Sequence, residues 1–240
     1  MTGVDYYLGA LCLTYVVYVT FESLASLARF GGFQVGYMSV GVSLQNQILS
    51  ANRLLGFFIA PMIGFFADKG GTSTEIFVIG MLGSFIGGAA LIFVYFRWCG
   101  LSSFFSKVSC SLVERGYNLK AFFVARHHPY TKPAHRVKRL KLNFFMAQIF
   151  TTGLAMPSVF LLNIIAIKVP AYSSTILQMA TVVSGFGNLV LNFYTMPLLA
   201  VEESNKDAVE IEDTHKAIFI GKIIGMLLVS PLILCAHFFI

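Results

Sequence analysis

One apolar stretch of this sequence carries polar side chains suited to recognising an anion. Residues 36–66 are apolar enough to cross a membrane, yet they contain an arginine, Arg53. A guanidinium near the middle of a bilayer costs about 3 kcal/mol on insertion scales, so such residues usually face a partner or a water-filled cavity. On a helix, one stripe of this segment carries Gln45, Asn46, Leu49, Asn52, Arg53 and Gly56. The stripe predicts a protein that handles something polar or anionic within the membrane, with Gln45, Asn46, Asn52 and Arg53 as candidate substrate-binding residues.

A second polar stripe follows a later apolar stretch. Within residues 172–200, polar side chains recur every three or four positions, at Ser174, Gln178, Thr181, Ser184, Asn188, Asn192 and Thr195. Two such stripes in one small bundle predict that they face each other or line a shared groove, which adds Asn188 and Asn192 to the candidate substrate ligands. The alternative is interhelical hydrogen bonding that only joins helices, worth about 0.6 kcal/mol per contact.

Two further cations, Arg29 and Lys222, lie near the predicted cytoplasmic end of the membrane. Together with the deeper Arg53 they form a ladder that an anionic headgroup can follow, because the planar guanidinium donates two parallel hydrogen bonds to a phosphate. Extension of these long side chains toward the interface is the alternative explanation of Arg29 and Lys222. Glu22 is the acid inside a predicted span and the candidate ion-pair partner of Arg53, although Glu22 lies closer to the cytoplasmic end.

Composition places all of these residues in an integral membrane protein. The 240 residues are 57% hydrophobic and 12% charged, with a mean hydropathy of +0.77, whereas ordinary soluble domains hold about 25% charged residues. Windows of about 20 apolar residues predict one all-α transmembrane bundle with six spans, at 6–27, 36–66, 75–96, 142–167, 172–200 and 217–239. Pro61 and Pro197 lie late in the second and fifth spans and are predicted hinges, because proline frees a backbone carbonyl and allows a bend.

The charged connections predict the topology. Residues 97–141 carry ten Lys and Arg against one acid, Glu114, so the positive-inside rule makes this loop cytoplasmic and both termini external. Leu101, Phe104, Phe105, Val108 and Leu112 share one helical face, which predicts either a helix in the headgroup layer or one packed on the bundle. Gly116 is a natural end for that helix. The acidic stretch 201–216 is predicted to be a second, solvated cytoplasmic loop.

Several classes of function lack their sequence signals. The net charge of +6 comes from one loop, so it indicates contact with a membrane surface rather than with nucleic acid. No glycine-rich phosphate loop is present, so no nucleotide is expected. The spans hold too few acids and no nucleophile–base pair for lipid-phosphate chemistry, and His127, His128 and His135 have no carboxylate or cysteine near them in sequence. We therefore expect no enzyme, no catalytic or metal-binding residues and no cofactor.

An internal repeat is a further hypothesis. A shift of 136 residues aligns Asn52 with Asn188 and Pro61 with Pro197, and a shift of 141 aligns Gly80 with Gly221. Two three-helix halves of opposite orientation would form an inverted repeat, a plan that transporters use to place a site between the halves.

The spacing of several of these residues resembles the Amj family of bacterial lipid II flippases, the alternates to MurJ. Glu22, Leu24, Ala25, Arg29 and Gly32 fit a family pattern at the end of the first helix. The second helix matches a family pattern at Ser43, Leu44, Asn46, Arg53, Ala60, Pro61 and Gly64. The segment Gly221–Leu228 resembles a family segment with a basic residue, here Lys222, between glycines.

The resemblance implies a multi-pass protein of the bacterial cytoplasmic membrane that moves an undecaprenyl-pyrophosphate-linked peptidoglycan precursor from the inner to the outer leaflet. Its expected partners are lipid II or another lipid-linked oligosaccharide, membrane lipids and proteins of cell-envelope synthesis. Three alternatives stay open: a flippase for an O-antigen or capsule unit, a membrane enzyme acting on a polyprenyl phosphate, and a non-transporting assembly protein.

Overall fold

The computed structural model describes residues 3–116 and 140–239, and this part of the chain consists of helices joined by short connections, with no strand. The predicted all-α architecture is therefore confirmed. The first half and the start of the second contain five long helices: α1 (Gly3–Gln34), α2 (Met38–Asp68), α3 (Ser73–Phe96), α4 (Trp98–Arg115) and α5 (Leu142–Lys168). Pro61 lies inside α2, which continues without a break to Asp68.

The C-terminal part is built from helices that are interrupted by wider turns. After a 3-10 turn at Pro170–Tyr172 come α6 (Ser173–Val190), a π-helical turn (Leu191–Thr195) and α7 (Met196–Asn205). Then follow α8 (Ala208–Ile224), a second π-helical turn (Gly225–Val229), α9 (Ser230–Cys235) and a final 3-10 turn (Ala236–Phe239). Each π-helical turn precedes a proline, Pro197 or Pro231, whose missing N–H cannot join the regular α-helical ladder. Pro197 therefore adjoins an irregular backbone segment, whereas Pro61 does not.

In the described part of the chain, five helices are long and apolar enough to cross a membrane. They are Tyr6–Gln34, Met38–Phe66, Ser73–Phe96, Leu142–Lys168 and Val209–Cys235, which correspond to five of the six predicted spans. The sixth, at 172–200, covers α6, the first π-helical turn and the start of α7, and its polar side chains lower its apolar character. That span, the external position of both termini and the inverted repeat stay predictions.

The bundle is organised around α1, which packs against α2, α3, α4 and α8. In its middle, the buried Tyr15 ring meets the Phe160 ring of α5 edge-on, with the centroids 5.1 Å apart. The Tyr15 hydroxyl also donates to the Met226 sulfur at 3.7 Å, so the first helix is joined to the last part of the chain. The core extends from there through Leu27 and Phe30 to Trp98.

Two glycines allow α1 and α2 to approach closely near their connection. A Cβ added at Gly32 would lie 2.6 Å from the Gly41 backbone nitrogen, closer than real Cβ contacts come, and backbone cannot move aside as a side chain can. Gly9 lies in the same helix, but a Cβ there would meet nothing within 4 Å.

Gly32→Ala should therefore lower the melting temperature of the purified protein, by about 5 °C if overpacking costs roughly 1–3 kcal/mol. Gly9→Ala is the matched control and should leave it unchanged or slightly raised, because alanine favours helix. Equal melting temperatures for the two variants would contradict this account of the α1–α2 contact.

Helix α4 packs on the bundle, which is one of the two predicted alternatives. Its Ser106 Oγ lies 3.0 Å from both the Gly31 carbonyl oxygen and the Gln34 side-chain oxygen of α1. Phe105, Val108 and Leu112 are buried, and Phe104 is exposed. The helix ends before Gly116, whose φ of 73° suits glycine. The basic stretch 126–139, with His127, His128 and His135, lies outside the described residues.

The prediction of a solvated loop over 201–216 is wrong. Helix α7 continues to Asn205, and α8 begins at Ala208. Asp207 caps α8 by accepting hydrogen bonds from the Val209 and Glu210 amides. Residues 211–219 are buried, charged side chains included. Glu203 is buried because Arg29 of α1 neutralises it, a pairing that local composition does not reveal, whereas Glu212 pairs with Lys216 of its own helix.

Candidate functional site

A buried ionic cluster, formed by Arg29, Glu203 and His215, joins α1, α7 and α8. The Arg29 Nε donates to both Glu203 oxygens at 2.9 and 3.0 Å, and Nη2 donates to Oε2 at 2.6 Å. His215 Nε2 lies 3.3 Å from Glu203 Oε1. All three side chains are at most 5% exposed. Because an unpaired buried charge costs several kcal/mol, each member of the cluster requires the others.

Helix α2 and neighbouring residues complete the surroundings of this cluster. Arg29 Nη1 donates to the Gln45 oxygen at 3.3 Å, and the Gln45 nitrogen lies 3.7 Å from the Met196 sulfur. The Ser26 Oγ lies 3.3 Å from His215 Nδ1. The cluster therefore holds four helices together at one end of the bundle, the end where α4 packs.

Further ion pairs surround it on the α5, α7 and α8 side. The Lys216 ammonium lies 2.6 Å from Glu212 Oε1 and 5.9 Å from the centroid of the Trp98 ring. Glu202 pairs with Lys206 and accepts a hydrogen bond from Thr214 at 3.0 Å. This end of the bundle therefore carries both acidic and basic side chains.

Burial raises the pKa of the Glu203 carboxyl, but hydrogen bonds from His215 and Arg29 outweigh it and hold that pKa below its ordinary value of 4.5. A carboxyl whose pKa is lower in the folded than in the unfolded state stabilises the fold above the ordinary value. That contribution is lost as the pH falls through the folded-state pKa.

The melting temperature should accordingly fall as the pH is lowered from neutral to about pH 3, with the loss setting in below about pH 4.5. Glu203→Gln should be less stable at neutral pH and should show a shallower acid decline. Glu210→Gln, at a side chain that is 53% exposed, is the control and should keep the wild-type profile. A wild-type slope in Glu203→Gln would rule out Glu203 as the titrating group.

A second pair joins α1 to α8 about two turns further into the bundle, because Glu22 and Lys222 each lie seven residues from a member of the cluster. The Lys222 ammonium donates to Glu22 Oε1 at 2.7 Å and to the Glu22 carbonyl oxygen at 3.4 Å. The Lys222 side chain is 5% exposed and that of Glu22 is 18% exposed. Glu22 is therefore an ion-pair residue, but the candidate pairing with Arg53 is replaced by a pairing with Lys222. The predicted ladder of three cations is also changed, because Arg29 pairs with Glu203 and Lys222 pairs with Glu22.

Arg53 lies on a different surface. Among the residues that the structure describes, its guanidinium has no hydrogen-bond or ion-pair partner and is exposed on the outside of α2. The predicted single stripe of α2 is split, because Gln45 and Asn52 face inward at 3% and 2% exposure. The outward side carries a polar face formed by Ser39, Ser43, Asn46, Gln47, Ser50 and Arg53. An open groove of about 540 Å³ runs along this polar face between Ser39 and Ser50.

The second stripe meets the first only in part. Thr195 is buried and lines a small cavity together with Gln45. Asn192 is exposed in the first π-helical turn, and Asn188 belongs to α6, with its side chain outside what the structure describes. The structure therefore brings Gln45, Glu22 and Lys222 together around that cavity, but leaves Asn46 and Arg53 on the outer surface of α2.

Sequence reasoning missed Glu203, His215 and Gln148. The first two belong to the stretch predicted to be a solvated loop. A usable signal was present, because Glu212 and Lys216 are spaced as an i, i+4 pair directly before an apolar helix. Gln148 is a fully buried amide in an apolar span that also contains Asn143 and Asn163.

Five helices that are long and apolar enough to cross a membrane, packed around a buried ionic cluster, indicate a multi-pass helical membrane protein. The chain matches no family model, no curated protein and no solved structure.

Proposed function

We propose that the protein is a flippase that moves an undecaprenyl-pyrophosphate-linked precursor, with lipid II as the favoured cargo, from the inner to the outer leaflet of the bacterial cytoplasmic membrane. The observation that carries the proposal is Arg53, exposed at the end of the polar face of α2 and unpaired among the residues that the structure describes. A structural arginine in such a helix would be paired and buried, as Arg29 is.

The extent of the polar face supports this function. Ser39 and Arg53 are 14 positions apart, which is about 21 Å along a helix, against about 30 Å of hydrocarbon. The face begins at the end of the bundle where the buried ionic cluster lies and stops at Arg53. Beyond it, the exposed side chains of α2 include Leu54, Phe57, Phe58 and Phe65. A charged headgroup entering from the cluster end would meet amides and hydroxyls first and the guanidinium last.

The lipid tail has a separate path in this proposal. Exposed apolar side chains lie on α2 beyond the polar face, so the polyprenyl chain stays in the bilayer while the pyrophosphate and sugar follow α2. The chain holds no nucleotide-binding motif, so we propose that an ion gradient, the membrane potential or consumption of the product drives transport. The resemblance of residues 22–64 to the Amj family supports lipid II as cargo, and another lipid-linked glycan is the second candidate.

Complementation tests the proposal. Bacteria depleted of all other lipid II flippases would express this chain, and lipid II reaching the outer leaflet would be measured together with viability. Rescue supports the proposed function. Failure by a well-expressed, membrane-inserted protein would reject lipid II as cargo, and the same assay for an O-antigen or capsule unit would then separate another cargo from an assembly role.

A further inference from the structure

The Lys222–Glu22 pair borders a small cavity that the proposed transport path on the surface of α2 does not use. The cavity, of about 20 Å³, lies between α1, α2, α5, α8 and the first π-helical turn. Its polar lining is contributed by Glu22, Ser26, Gln45, Gln148, Thr195 and Lys222. Such a volume holds about one water molecule.

Two side chains in the lining have unused hydrogen-bonding capacity. Gln148 is 0% exposed and Thr195 is 1% exposed. In the described part of the chain, neither the Gln148 amide nitrogen and oxygen nor the Thr195 hydroxyl has a hydrogen-bond partner. Leaving a buried polar group unpaired costs about 1–3 kcal/mol, so two such side chains in the lining of one cavity indicate a position where something polar binds.

The hydrogen-bond donors around the cavity suit an anionic ligand that replaces the Glu22 carboxylate. Lys222 contributes an ammonium group to the lining. Gln45, which also lines the cavity, accepts a hydrogen bond from Arg29 Nη1 through its side-chain oxygen. Besides this ammonium, the amide and hydroxyl groups can turn N–H and O–H donors toward one point, as a phosphate requires. Glu22 is the lining acid, and its carboxylate already occupies the Lys222 ammonium.

One wall of the cavity is formed by an irregular helical segment. Leu191, Thr195 and Met196 belong to the π-helical turn and the helix start that follows it. Such turns lack the regular α-helical ladder and are frequent at functional sites. Lys222 itself lies three residues before the second π-helical turn. Irregular backbone therefore borders the cavity on this side.

We propose that Lys222 binds a phosphate and that its ion pair with Glu22 occupies the ammonium group when no phosphate is bound. A phosphate of the lipid-linked substrate takes the place of the Glu22 carboxylate at the Lys222 ammonium, and Gln148 and Thr195 donate further hydrogen bonds to it. This inference rests on the proposed function and adds a second, interior anion site, with Glu22 as its competing internal ligand.

Binding by purified protein in lipid nanodiscs tests the exchange, with farnesyl pyrophosphate and inorganic pyrophosphate as probes. Glu22→Gln should bind farnesyl pyrophosphate about tenfold more tightly than wild type, because the ammonium is freed. Glu22→Gln combined with Lys222→Gln should lose that gain. Glu114→Gln, which removes an exposed acid at the end of α4, is the control and should bind as wild type does.

An unchanged affinity for farnesyl pyrophosphate in folded Glu22→Gln would overturn the proposal, and so would a gain in affinity that persists when Lys222 is also replaced. An equal gain in affinity for inorganic pyrophosphate would overturn it too, because it would identify a free phosphate as the ligand. If Glu22→Gln does not fold, Glu22→Asp keeps the charge, withdraws it by one methylene and should show a smaller gain. Ligand-induced thermal stabilisation gives an independent readout. Successful complementation without any gain in Glu22→Gln rejects this inference alone, whereas a gain without complementation retains the site and rejects the cargo.

Discussion

Arg53→Ala should abolish the rescue of flippase-depleted cells while leaving the protein folded and inserted. Charge-assisted hydrogen bonds contribute about 1.5–3 kcal/mol each, so removing the guanidinium should weaken headgroup binding roughly ten- to hundredfold. The fold should tolerate the change, because the side chain is exposed and, within the described residues, unpaired. The melting temperature should shift by less than about 2 °C. Lipid II at the outer leaflet and membrane protein level are measured together.

Two controls make the Arg53 result specific. Arg97→Ala removes another exposed arginine, one whose guanidinium stacks 5.7 Å from the Phe93 ring centroid, and it should leave rescue intact. Arg53→Lys keeps the charge but not the two-pronged donor and should rescue only in part. Full rescue by Arg53→Ala would remove the observation on which the proposed function rests. Unfolding of that variant would show instead that Arg53 has a structural role.

Arg29→Ala should cause the largest loss of stability. Removing one partner of a buried ion pair costs about 3–5 kcal/mol, because the remaining charge stays buried without compensation. For a chain of this size, that corresponds to a fall of about 10 °C in melting temperature. Glu203→Ala should be similarly unstable, since both Arg29 and His215 would then lose their acceptor.

The double variant Arg29→Leu with Glu203→Leu separates pairing from packing. Replacing both charges by apolar side chains of similar size leaves no unpaired group, so the double variant should lose less stability than either single alanine variant. Lys206→Ala breaks a partly exposed pair with Glu202 and should cost no more than about 1 kcal/mol. The melting temperatures of these four variants are measured by thermal unfolding, followed by fluorescence. Additive losses in the double variant would show that Arg29 and Glu203 stabilise the bundle independently.

Local patterns predicted the parts of the structure that depend on local physics. Lipid offers no hydrogen bonds to a backbone, so an apolar stretch of sufficient length must be helical. Five predicted spans therefore coincide with helices of the structure. The same reasoning identified Gly116 as the end of α4 and Arg53 as unusual.

The stretch 201–216 shows where local patterns fail. A run of charges in sequence normally remains hydrated. Here Glu203 finds Arg29, 174 positions away, and Glu202 finds Lys141 at 3.6 Å. The burial of Glu203 therefore depends on a cation that no local window of sequence contains, whereas Glu212 pairs with Lys216 of its own helix and Glu210 stays 53% exposed.

The sequence alone thus determined the membrane class, the helical spans and the presence of embedded cations, because hydropathy and charge act residue by residue. Tertiary structure decided which cations are neutralised and which one stays exposed. Glu22 and Arg53 were plausible partners in sequence, yet helix packing places Glu22 against Lys222, 200 positions away. A charge in a low-dielectric bundle pairs with whatever opposite charge packing brings within about 3 Å, and packing is a property of the whole chain.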